Sequence, residues 1–350
     1  MAVLRVRGVA LPSEDVVDLY ADGDRWTTEP VAGAELVAEG WVLPGLVDAH
    51  THPGAEAPGK PLEEPLLRAD LQQHVAAGVT MIRAPGLAGN PPDWFGEDAD
   101  IPRATHAGPW IAQHGQFFDG WGQRAGLAEL PRVAATQAAR TGWAKLIADW
   151  DPGGDVLPAS VLRQVVTAVH AVGGRVAVHS QHAAGGAAAV EAGVDSLEHG
   201  MCLDPGLLPQ MAQQGTALTP TLSVITGILA DVRQRPGGPR KDWYLGGAEV
   251  HGQLAAAAAE AGVTILAGTD SRPCGRIIDE VRALVGAGVR PHQAIGAASW
   301  AARSYLGIAG LTEGAPADAV IYDSDPCLDL TQLAAPRAVV LRGMVRHRRS

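Results

Sequence analysis

Four histidines and one aspartate stand where short apolar runs end. His50-Thr51-His52 closes LVDAHTH, His179 closes VAVH, His199 closes DSLEH and Asp270 closes ILAGTD. On an extended chain His50 and His52, two residues apart, point to the same side and could face one ion. Neutral imidazole and carboxylate are ligands that Zn²⁺, Mn²⁺ or Fe²⁺ take, and gathering five such groups without a metal would be costly. One His pair is weak evidence, because short motifs arise by chance. The metal reading rests instead on a polar ending repeated at the other runs. Lys145, inside the apolar run WAKLI, is a further oddity, since an unpaired buried ammonium is expensive; a snorkelling or salt-bridged lysine is the alternative.

The elements that must position these groups follow from the pattern. From Gly45 the chain gives eight β-like runs, most followed by an Ala- or Leu-rich stretch of helical length, with the follower of the second run the least clear. Such alternation predicts an α/β fold, a (β/α)₈ TIM barrel over residues 45–307. In such a barrel the C-terminal strand ends face the active site, and the candidate ligands occupy those ends. Gly78, Gly142, Gly173, Gly193, Gly215 and Gly262 stand where left-handed C′ glycines would end helices. Residues 1–44 read as a few antiparallel strands, and 308–350 as two more after one helical segment, HQAIGAASWAARSYLGI. The two ends are expected to pair as a small β-sandwich-like domain.

Of 350 residues, 47% are hydrophobic and 19% charged, enough apolar material for a packed core. The net charge of −11 repels phosphate backbones and anionic lipid, so neither nucleic acid nor a membrane is an expected partner. Cys202, Cys274 and Cys327 are odd in number and widely spaced, which indicates neither a disulfide framework nor a thiolate zinc site. With no continuous apolar stretch at the start, the reading is a cytoplasmic enzyme acting on a small molecule, with homo-oligomerisation left open.

Taken in order, His50-Thr51-His52, Lys145, His179, His199 and Asp270 resemble the amidohydrolase superfamily. VLPGLVDAHTH, VAVHSQHAAGGAAAVEAGVDSLEHG, TPTLS, GTDS and PADAVIYD resemble its branch containing imidazolonepropionase and Xaa-Pro dipeptidase-like enzymes. The resemblance implies two divalent ions, zinc foremost with manganese or iron as alternatives. His50, His52 and Asp270 would hold the more buried ion, and His179 and His199 the more exposed one. It also implies that Lys145 is carboxylated by CO₂ and bridges them. A metal-bridging hydroxide would then attack a C–N bond of an amide, peptide or cyclic amide, with Asp270 carrying the proton to the leaving amine. Two other readings differ in what they need: a mononuclear deaminase of the same fold would lack the bridging lysine, and a catalytically silent barrel with a binding role would lack ligands.

Substrate choice is assigned more loosely. His114 ends the third run and is placed to touch substrate or assist catalysis. The following stretch, with Phe117, Phe118, Trp121 and several glycines, suits a mobile apolar lid. A cationic loop with Arg233, Arg235, Arg240, Lys241 and Tyr244 could bind a substrate carboxylate, with Arg233 and Tyr244 the chosen candidates. Trp110, Trp143 and Trp150 are read as core, His182 as first-turn helix polarity, and Arg83 as a structural partner for an Asp or Glu.

Overall fold

A computed structural model of the chain describes residues 3–349. Its first strands are β1 (Leu4–Ala10), β2 (Val16–Asp22), β3 (Arg25–Thr27) and β4 (Glu35–Pro44). β1–β2 and β2–β3 are antiparallel as expected, but the chain then crosses back so that β4 lies parallel to β1, Leu4 opposite Glu35. The central strands are β5 (Leu46–Asp48), β6 (Val79–Ala84), β7 (Arg103–His106), β8 (Ile111–Ala112), β9 (Gln123–Arg124), β10 (Trp143–Ile147), β11 (Arg175–Ser180), β12 (Ser196–His199) and β13 (Ala217–Thr219). The last are β14 (Ala319–Tyr322), β15 (Ala338–Leu341) and β16 (Met344–Arg348).

The terminal strands pair with each other, as expected of a small β-sandwich-like domain, but within one continuous seven-stranded sheet, β16-β15-β14-β4-β1-β2-β3. It curls onto its own core of Leu4, Val6, Leu19, Trp26, Ile321 and Val340, and a bridge between Arg25 and Pro316 draws its far strand back toward β14. The run RAVVLRGMVRH is a hairpin, because Arg342 and Gly343 take positive φ and turn the chain between β15 and β16.

Parallel strands alternating with helices make up the rest. They fall into a six-stranded sheet, β13-β12-β11-β10-β8-β9, and a three-stranded sheet, β5-β6-β7, not a single eight-stranded ladder. β7 and β9 are additions, four and two residues long with no apolar run to announce them. The eighth run makes only a bridge, Leu218 to Ile265. Its amides take alternating partners, Leu266 donating to Leu218 O and Ala267 to Ala297 O, so no regular ladder forms. Single contacts span the sheet breaks: Leu87 bridges Pro109, and the Ala49 amide donates to Ala267 O. The second run has no helix behind it, since its Gly- and Pro-rich sequel cannot continue one.

All six glycines placed at helix ends have positive φ, between 75° and 82°. One expected helix is instead two, Pro291–Ala297 and Trp300–Tyr305, broken where Ser299 (φ −146°, ψ −105°) donates its hydroxyl to Pro44 O.

Candidate metal centre

Strand register brings the polar ends level. Ile147 pairs with His179, and Ser180 with His199. At the break between β5 and the eighth run, the Asp270 amide donates to His50 O. That close approach requires Gly268, where a Cβ would lie 2.4 Å from His50 Cβ. His199 and Asp270 take left-handed backbone conformations, φ 66° and 47°, which turns both side chains inward at some strain.

The result is a convergence of ligand atoms. His50 Nε2 and His52 Nε2 are 3.1 Å apart, and Asp270 Oδ1 lies 3.2 Å from His52 Nε2 and 3.8 Å from His50 Nε2. Ligand atoms of these three residues all lie within 4.8 Å of one another. His199 Nε2 is 4.0 Å from Asp270 Oδ2, and the His199 ring centroid is 5.0 Å from that of His50 and 4.6 Å from that of His179.

Three of the four imidazoles have a partner on the far side that orients them. His50 Nδ1 is 2.6 Å from Glu198 Oε2, His52 Nδ1 is 2.6 Å from Gly86 O, and His199 Nδ1 is 2.8 Å from Thr221 Oγ1. Donating Nδ1–H to Glu198 and to Gly86 O leaves His50 and His52 with Nε2 lone pairs facing the cluster. Glu198 is fully buried and also accepts from Arg83 and Ser196, while Arg83 donates to Ala49 O and Thr219 Oγ1. Asp48 ties the two sides together, accepting from the amides of His50 and Thr269 and from the Thr269 hydroxyl.

The electrostatics keep these groups in ligand form. Burial pushes His50 down to about 4, against the opposing pull of Asp270 and Glu198, and holds His179 and His199 well below the ordinary histidine value. For Asp270, desolvation works upward, yet His50, His52 and Lys145 leave it below the ordinary carboxylate range. Burial likewise works to raise Glu198, but Arg83, Lys145 and His50 hold it well down.

Lys145 is 1% exposed, and its Nζ has no hydrogen-bond partner among the described residues. Burial lowers it to about 8, with Arg83 adding to the effect and the Glu198 and Asp270 carboxylates opposing it. Neutral nitrogens facing one another, a carboxylate between them and a buried amine with no partner fit a cation-binding site.

The remaining candidates come from the turns and helices that follow the strands. His114 is exposed in the turn after β8. Arg233 is exposed on a short helix, and its carbonyl accepts from Lys241 Nζ. Tyr244 is partly buried and donates to Ile225 O at 3.3 Å, and burial together with the Asp270 carboxylate of the cluster pushes its hydroxyl up to about 12. His182 precedes helix Ala183–Ala192 and stacks on Trp243. Glu198 was not singled out as a functional residue, since alternation along a strand assigns it the face opposite His199. The left-handed turn at His199 breaks that alternation, so both reach His50.

Residues 41–346 match the model of the amidohydrolase family, and the chain belongs to that family. It is 39% identical to an uncharacterized protein of Mycobacterium tuberculosis over 97% of this chain and 95% of that one. A solved Xaa-Pro dipeptidase with bound methionine in its active site shares the fold at a TM-score of 0.85, with 21% identity, covering 99% of this chain and 100% of that one. The structure of ochratoxinase from Aspergillus niger is similar at a TM-score of 0.81, with 20% identity over 99% of this chain and 96% of that one. Family membership supports a hydrolase of C–N bonds that uses divalent metal ions. No helix among the described residues is long and apolar enough to cross a membrane.

Proposed function

We propose that this protein is a metal-dependent hydrolase that cleaves a C–N bond of a small amide, in a (β/α)₈ barrel closed by the contacts between residues 264–270 and their two neighbours. The observation that carries the reading is the convergence of His50 Nε2, His52 Nε2 and Asp270 Oδ1, neighbouring atoms 3.1 and 3.2 Å apart. That trio alone would suit one ion. The unpartnered Lys145 Nζ favours two, because a neutral amine can take up CO₂ and become a bridging carboxylate. His179 and His199 then serve the second ion. Zinc suits this nitrogen-rich set best, and manganese or iron would also be accepted.

When bound, divalent cations would polarise an amide carbonyl and make a water molecule acidic enough to act near neutral pH. The chain's own residues do the rest. Glu198, Gly86 O and Thr221 hold His50, His52 and His199 in one orientation each. Asp270 takes a proton from the attacking water as the new C–O bond forms, then passes it to the amine nitrogen as the C–N bond breaks. Metal content, measured alongside hydrolysis of a library of dipeptides and N-acyl amino acids, tests the reading. Metal-free protein with no amidase activity after loading would overturn it.

A further inference from the structure

We propose that Trp110, Phe117 and Trp150 form the specificity wall of this site and that its substrate carries a bulky apolar group, aromatic above all, beside the scissile bond. This rests on the hydrolase reading above. The chain has three Phe and nine Trp, yet five of those rings, including two of the Phe, gather at one place. Phe117 lies between Trp110 and Trp150, ring centroids 5.3 and 5.0 Å away, and Trp121 stacks on Trp110 at 4.7 Å. The cluster abuts the candidate ligands on two sides. Trp110 is 4.9 Å from the His52 ring, and Trp150 is 5.6 Å from the His179 ring.

Three features set this cluster apart from ordinary core. Trp110 and Trp121 are buried, but Phe117 and Trp150 are only partly so and Phe118 is 36% exposed, leaving apolar surface beside the ligand histidines. Phe117 is held at φ 68°, a left-handed conformation that costs about 1–2 kcal/mol for a bulky residue. His199, Thr221 and Asp270 share that strain, so four of the six described non-glycine residues with positive φ belong to this site. The loop is also pinned. Arg124 donates to Phe118 O and Trp121 O, and Trp121 Nε1 donates to Lys60 O. With Arg124 engaged in this way, the rings of the wall offer apolar surface, and a charged substituent packed against them would lose hydration.

The test uses hydroxamates, which chelate active-site metal regardless of turnover, on the full-length, metal-loaded protein. Phenylacetohydroxamate should bind about 10- to 100-fold more tightly than acetohydroxamate. Phe117→Ala and Trp150→Ala should bring that ratio below about 3-fold while leaving metal content unchanged. Phe117→Leu and Trp150→Leu, which keep apolar volume, guard against loss of folding and should lower the ratio partway. Equal affinities in the wild type, or a ratio untouched by all four variants, would overturn the wall. Protein that takes up no metal would instead overturn the hydrolase reading on which the wall depends, and metal analysis before titration tells the two failures apart.

Discussion

Glu198 Oε2 lies 2.6 Å from His50 Nδ1, and the same carboxylate is anchored by Arg83 from the opposite side. The pair fixes which nitrogen of His50 carries the proton and therefore which faces the ion. Glu198→Gln can offer the imidazole only a neutral acceptor and leaves Arg83 buried without its countercharge. Metal affinity, read by competition with a chromophoric chelator, should fall about 10- to 100-fold with the far-ultraviolet circular dichroism preserved. Unchanged affinity would remove Glu198 from the site.

Asp270 supports two roles, ligand and proton carrier, and Asp270→Asn separates them. The amide keeps an oxygen for the ion but cannot shuttle a proton, so kcat should fall by about 10²- to 10⁴-fold with most of the metal retained. Activity near wild type would sink the shuttle role.

Lys145→Ala removes the buried amine. The variant should lose one of two ions and recover part of its metal and activity when short-chain carboxylic acids are supplied. Retention of both ions without added acid would show that no carboxylated lysine holds them.

Glu280 gives a pH signature of stability. It is buried and accepts from the Leu222 and Ser223 amides, and burial raises it from 4.5 to about 7 against those hydrogen bonds. A carboxyl with a raised folded value binds its proton more tightly in the native state. Its contribution is therefore complete below about 4.5 and is lost as pH rises through about 7. Glu280→Gln should flatten this fall and cost about 1–3 kcal/mol at pH 5, because one amide loses its acceptor. Urea midpoints at pH 5 and 7.5 decide it; a slope equal to the wild type's would assign the pH dependence to other groups.

Gly268 is the point where the eighth run meets His50. Gly268→Ala pushes a methyl into His50 Cβ, and the expected loss is about 1–3 kcal/mol in stability together with weaker metal binding. Differential scanning calorimetry and metal titration report the two effects separately.

The residues at strand ends were legible because position and chemistry coincide there: an apolar run terminated by His or Asp states both the strand and its purpose. The helix-ending glycines were equally readable, since each needs a φ that other residues resist. What the sequence did not show depended on contacts between distant segments. β7 and β9 have too few residues for a period to register. The parallel course of β4 is set by its partners Leu4–Ala10 and by β14, some 280 positions away from β4 in the chain. Glu198 was hidden by its own strand's alternation, and Trp110 and Trp150 read as core because nothing local says which histidine a tryptophan will face.

The central claim is that this set of histidines, aspartate and lysine is a two-ion centre, and metal stoichiometry per chain tests it most directly. Protein expressed with bicarbonate and Zn²⁺ or Mn²⁺, then dialysed and analysed by inductively coupled plasma mass spectrometry, should carry about two ions per chain. A chain carrying none under those conditions would contradict the account, and a chain carrying one would contradict the bridge at Lys145.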